Sequence, residues 1–97
     1  MPTFTIEYAY DDRTDERMAR RLDHLAYLKG LVEAGTMLAY GRYNDDGAPG
    51  ALLIVEAETP KDVEALIADD PYVRAGLVPS HNVRSWPAVW GPPPTGS

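Results

Sequence analysis

A strand that is apolar on both faces cannot be left half in water, and this chain contains one. Ala51-Leu52-Leu53-Ile54-Val55 places aliphatic side chains at both parities just before Glu56. Successive strand residues point to opposite sides of a sheet, so both surfaces around this segment need cover. Ninety-seven residues make one small domain, and a domain of that size leaves much of its surface exposed unless it associates. Helices can cover one side of the sheet. The other is expected to meet the same sheet of a second subunit, which predicts a face-to-face homodimer.

The remaining elements follow from periodicity and punctuation. Thr3 to Tyr10 alternates, with Phe4, Ile6, Tyr8 and Tyr10 on one face, and reads as a first strand. Asp11 to Glu16 offers capping side chains and negative charge, so a helix is expected from near Thr14 to Gly35, a left-handed terminator. Thr36 to Tyr43 reads as a second strand, with Gly41 a bulge or point of close approach. Asn44-Asp45-Asp46-Gly47 tolerates positive φ and makes a hairpin with the strand at 51–57. Thr59-Pro60-Lys61-Asp62 combines a hydroxyl cap, a first-turn proline and a following acid, and predicts a second helix from Pro60 to about Ala68. Pro71 breaks it and leaves a short separate turn. Leu77 to Trp90 reads as a last strand interrupted near Pro87, and the proline-rich stretch 91–97 as an extended tail outside the domain at 1–90.

The order is β-α-β-β-α-β. It predicts an α+β, ferredoxin-like fold in which two helices cover one face of a four-stranded antiparallel sheet.

Composition narrows the function classes. Fifteen acids against nine bases give a net charge of −6, which argues against a nucleic-acid partner. No segment approaches the roughly 20 apolar residues of a membrane span. Met1-Pro2-Thr3-Phe4 lacks the regions of a signal peptide. The chain has no cysteine, which excludes thiol chemistry and agrees with a cytoplasmic protein. Its two histidines, His24 and His81, are not at a metal-ligand spacing, so no metal site and no cofactor is expected. His81 reads as a surface residue entering the last strand.

His24 is the first candidate for chemistry. At about 100° per residue, Met18, Leu22, Leu25 and Val32 share one side of the first helix, read here as its buried face. Arg17, Arg21, His24, Leu28 and Leu31 form the adjacent stripe. His24 is thus expected at the border of core and solvent, with two guanidiniums one and two turns earlier, where it could meet an anionic ligand in a cleft. The alternative is a boundary histidine bonded to a neighbour.

Taken together, Arg21-x-x-His24-Leu25-x-Tyr27-Leu28, Gly35, Gly41, Asp46-Gly47-x-x-Gly50 and Asp69-Asp70-Pro71-Tyr72-x-x-Ala75-Gly76 resemble the YciI-like family over nearly the whole chain, from the first strand to about Trp86. The resemblance implies a dimeric α+β barrel, with His24 and Asp70 as the active-site dyad. It also places a dehydrochlorinase of a chlorinated hydroxyhydroquinone among the relatives, with an isomerase and cofactor-free monooxygenases sharing the fold. Two positions depart from the family pattern. Arg42 stands where many members have proline, and Ala51 stands where they have serine, so a contact through that hydroxyl would be missing here.

In such a dyad Asp70 accepts a hydrogen bond from one imidazole nitrogen and leaves the other facing a ligand, ready to move a proton. Arg21 could neutralise an enolate or carboxylate, and Tyr72, Tyr40 and Tyr8 could line an aromatic pocket. Each has a structural alternative. Arg21 can pair with Asp23 or Glu7, the tyrosines can serve as core and interface, and Asp70 can cap the turn after Pro71. Three functions remain open at this point. They are a cofactor-independent lyase or isomerase acting on a small anionic or phenolic substrate, a binding module using the same cleft, and an accessory protein without a ligand. The last requires His24 and Asp70 to lie too far apart to bond.

Overall fold

The computed structural model describes residues 1–91, so the tail expected over 91–97 lies, except for Gly91, outside the described residues. The alternation of Phe4, Ile6 and Tyr8 gives β1 (Thr3–Ala9), followed by α1 (Thr14–Glu33), β2 (Met37–Arg42), β3 (Gly50–Glu56), α2 (Pro60–Ala68), a single helical turn α3 (Pro71–Arg74) and β4 (Ser80–Ser85). The sheet order is β2-β3-β1-β4, and every pairing is antiparallel. This is the ferredoxin-like α+β arrangement.

Phe4, Ile6 and Tyr8 of β1 face the same way as Leu53 and Val55 of β3, and with Leu28 of α1 and Val63 and Ile67 of α2 they form one buried cluster. The opposite face carries Thr5 opposite Ile54 and Glu7 opposite Leu52. Leu52 remains open there.

The element ends follow local chemistry. At the end of α1, Gly35 has φ +79°, its N–H bonds Val32 O, and the Thr36 N–H bonds Leu31 O. This double closure needs the left-handed residue that glycine supplies at least cost. The Thr59 hydroxyl caps α2 by accepting the Asp62 N–H at 3.2 Å, and Pro60 occupies the first turn.

Five local expectations are corrected. The start of α1 has no side-chain cap; Asp11 accepts instead from the Arg13 backbone at 3.1 Å and the Arg13 Nε at 2.9 Å. The turn at 44–47 uses no positive φ; in it Asp45 Oδ1 takes the Gly47 N–H at 3.0 Å. The irregularity in β2 falls between Met37 and Ala39 rather than at Gly41. The close approach belongs to Gly50, where a Cβ would lie 2.3 Å from the Tyr8 carbonyl oxygen. The last strand ends at Ser85: the Trp86 N–H still reaches Thr3 O, but Pro87 has no N–H with which to continue the ladder.

The inward face of α1 is also not the one expected. Its buried residues are Arg17, His24 and Leu28, whereas Met18 and Val32 are exposed and Leu22 is 83% accessible. The stripe read as a flank is therefore the inward face. Polar side chains can take that position without penalty when each finds a partner, and here they do.

Candidate active site

Pro71 cannot continue α2, so the chain restarts as α3 with Asp70 as its N-cap, the carboxylate Oδ1 accepting the Tyr72 N–H at 2.9 Å. This capping bond fixes the side chain. The same Oδ1 lies 2.8 Å from His24 Nδ1 of α1, and Oδ2 accepts the Tyr8 hydroxyl of β1 at 2.9 Å. Asp70 has no accessible surface and His24 is 6% accessible. The structural and chemical alternatives for Asp70 are thus both realised in one carboxylate.

The network assigns the proton on the imidazole. A carboxylate only accepts, so Nδ1–H donates to Asp70 and the lone pair of the neutral ring sits on Nε2. Burial, reinforced by the Asp70 charge, raises the Tyr8 hydroxyl far above the ordinary phenol range, which keeps it a donor. Nε2 has no hydrogen-bond partner among the described residues, and none of their side-chain polar atoms is both buried and unpaired. His24 lines a cavity of about 320 Å³ between α1 and the β2–β3 edge; with Nδ1 bound to Asp70, Nε2 is the ring nitrogen left for a ligand.

Tyr72 completes the mount. Its ring stacks on His24 with centroids 3.8 Å apart and planes within 3°, and Tyr10 meets it edge-on at 6.0 Å. Burial raises the Tyr72 hydroxyl against the opposing pull of Arg21 and Arg17. Arg21, Tyr40 and Tyr72 line the cavity with His24. Tyr8 does not line it. That side chain lies behind the wall with Asp70, where it touches the dyad rather than a ligand.

The cavity also takes in Tyr10, Arg42 and Ala51. Arg42 and Ala51 are Cα partners across the β2–β3 ladder. Tyr10 was legible only through its parity with Tyr8. Arg17 is held by Asp11 at 3.2 Å, by Thr14 at 3.3 Å and by the face of Tyr10 at 4.7 Å. His81 lies on β4 opposite Tyr8, with Nε2 2.8 Å from Glu64 Oε2, and does not line the cavity. The separation of His24 from Asp70 that a ligand-free accessory role requires is not what these side chains adopt.

The family model described as YCII-related domain matches residues 1–87. Protein YciI of Escherichia coli O6:H1 and that of Shigella flexneri are each 33% identical over 95 residues, covering 88% of this chain and 97% of theirs. Among solved structures, the 5-chloro-2-hydroxyhydroquinone dehydrochlorinase of Burkholderia phenoliruptrix, in complex with 2,5-dihydroxybenzoquinone, superposes with a TM-score of 0.75 at 27% identity, covering 87% of this chain and 92% of that one. An antibiotic biosynthesis monooxygenase shares the fold at a TM-score of 0.55 and 14% identity, covering 92% of this chain and 99% of its own. Among the described residues no helix is long and apolar enough to cross a membrane.

Proposed function

The chain belongs to the YCII-related domain family, and on that footing we propose that it is a cofactor-independent lyase or isomerase in which His24 moves a proton on a small anionic or phenolic substrate. One observation carries this reading. A fully buried carboxylate holds His24 Nδ1 at 2.8 Å, leaving Nε2 without a partner on a ring that lines a ligand-sized cavity.

Nε2 takes a proton from the substrate, and the Asp70 charge stabilises the imidazolium that results. In an elimination, the electron pair left behind forms the new π bond and the leaving group departs as an anion. In an isomerisation, the same proton returns to a different substrate atom. Arg21, one helical turn before His24, compensates the enolate or phenolate. Tyr40 packs against the ring of the substrate, Tyr72 backs the imidazole by stacking, and Tyr8 keeps Asp70 oriented. Proton transfer of this kind is worth about 10²- to 10⁴-fold, which suits an already acidic substrate. The dehydrochlorinase neighbour, bound to a dihydroxybenzoquinone, supports the same class of substrate. A homodimer through the open sheet face, covering Leu52, goes with this reading. Sedimentation at micromolar protein tests it, and a monomer there would discard it.

A binding module is the competing reading, favoured by Ala51, which offers the ligand no hydroxyl. The two separate with 5-chloro-2-hydroxyhydroquinone as probe, following chloride release and new product by chromatography. His24→Asn and Asp70→Asn should each lower turnover at least about 10²-fold with the fold intact by circular dichroism. Full turnover in His24→Asn would end the proton-transfer mechanism. Tight binding by the wild type with no product over long incubation would favour the module.

A further inference from the structure

The chain has fifteen acidic residues against nine basic ones, yet three of its arginines, Arg17, Arg21 and Arg42, line the cavity beside His24, and no carboxylate does among the described residues. The local charge opposes the global one. Arg17 is already answered by Asp11 and the face of Tyr10. Arg21 acts on the Tyr72 hydroxyl, yet neither Arg21 nor Arg42 forms an ion pair among the described residues. They come from two different walls, Arg21 from α1 beside the dyad and Arg42 from the end of β2. Arg42 shares the face of its Cα partner Ala51, whose small side chain leaves room for a ligand group.

Two guanidiniums with no carboxylate partner, on separate walls, fit a ligand with two acceptor groups. Cavity volume sets its size. About 320 Å³ lies at the low end for small-molecule sites and suits about one ring. Tyr40, 39% accessible, offers aromatic surface for such a ring. We propose that the substrate is a single-ring unsaturated or aromatic acid. Its hydroxyl or acidic C–H group meets His24 and Arg21, its carboxylate meets Arg42, and Arg42 selects for that carboxylate. The proposal rests on the reading of His24 as the proton carrier. A guanidinium can take a carboxylate through two parallel N–H···O bonds, whereas a plain quinol offers Arg42 nothing of equal strength.

The test uses two probes that differ only in the carboxylate, 2,5-dihydroxybenzoate and hydroquinone, titrated calorimetrically at pH 7 and low ionic strength. Wild type should bind the acid about tenfold more tightly than the quinol. Arg42→Ala should reduce that ratio below about threefold without weakening hydroquinone, Arg42→Lys should keep part of it, and Arg42→Glu should invert it. Arg42 is exposed, so these variants should melt within a few degrees of wild type. Equal binding of the two probes by wild type, no binding of the acid at millimolar concentration, or an undiminished preference in Arg42→Ala would overturn the proposal. Binding is read here and not turnover, so its failure leaves the His24 mechanism standing. Conversely, full turnover in His24→Asn with the carboxylate preference intact would remove only the mechanism.

Discussion

Replacing Tyr8 by phenylalanine removes one hydroxyl from the least accessible part of the site, and its cost can be worked from the contacts. Tyr8 is 2% accessible and Asp70 0%, and their bond is 2.9 Å. No other donor among the described residues reaches Oδ2. A hydrogen bond to a buried charge is worth about 1.5–3 kcal/mol. Tyr8→Phe should therefore cost about 2 kcal/mol, and at about 4–8 °C per kcal/mol for a domain of this size, the midpoint of thermal unfolding should fall by roughly 8–16 °C. Two further phenols calibrate the scale. The Tyr27 hydroxyl, pushed up to about 12 chiefly by burial, donates to the neutral Leu66 carbonyl at 2.6 Å; Tyr27→Phe should cost about 1 kcal/mol. The Tyr10 hydroxyl makes no hydrogen bond among the described residues, and Tyr10→Phe should cost less than about 0.5 kcal/mol. Urea and thermal unfolding by circular dichroism, at one fixed protein concentration because association shifts apparent stability, would order the three. If Tyr8→Phe proved no worse than Tyr10→Phe, the Tyr8–Asp70 bond could not be what secures the dyad.

The other predictions concern the elements that surround the site. Hydrogen bonds from the Arg13 side chain and backbone lower Asp11 from 3.8 to about 2. Because the folded value is the lower one, its contribution is full above 3.8 and is lost as pH falls through about 2. Asp11→Asn should flatten the stability curve within that window, and an unchanged acid limb in the variant would show that Arg13 does not favour the charged form. Gly50→Ala would set a methyl group 2.3 Å from the Tyr8 carbonyl oxygen. The backbone of β1 would have to yield, at a cost of about 2–3 kcal/mol, and a urea midpoint within error of wild type would mean that the strands separate more easily than this. Gly35→Ala, at φ +79°, should cost about 1 kcal/mol; no loss there would remove the left-handed cap of α1 from the account of its end.

Much of the architecture was legible because each signal is local. The alternation of Phe4, Ile6 and Tyr8, the Thr59-Pro60 start, the Gly35 stop and the break at Pro71 each act within a few residues, and each appears where the sequence puts it. The face of α1 was misread for a physical reason. Hydropathy assigns Leu22 to the core and Arg17 to water, but burial depends on whether a polar group finds a partner, and Asp11 and Asp70 supply those partners from outside the helix. Gly41 and Gly50 are alike in composition. Only the approach of β1 distinguishes them.

What the residues determined by themselves was the succession of strands and helices and most of their caps and breaks, while the pairing of His24 with Asp70 came only from the family resemblance. What needed the folded chain was their meeting. His24 and Asp70 are 46 positions apart, and Tyr8 is 62 from Asp70. No periodicity spans such distances, since periodicity reports only which way a side chain leaves its own element. The path of the chain through β1, α1 and the turn after α2 brings the three side chains together, and the β2–β3 ladder sets Arg42 beside Ala51 at the same cavity.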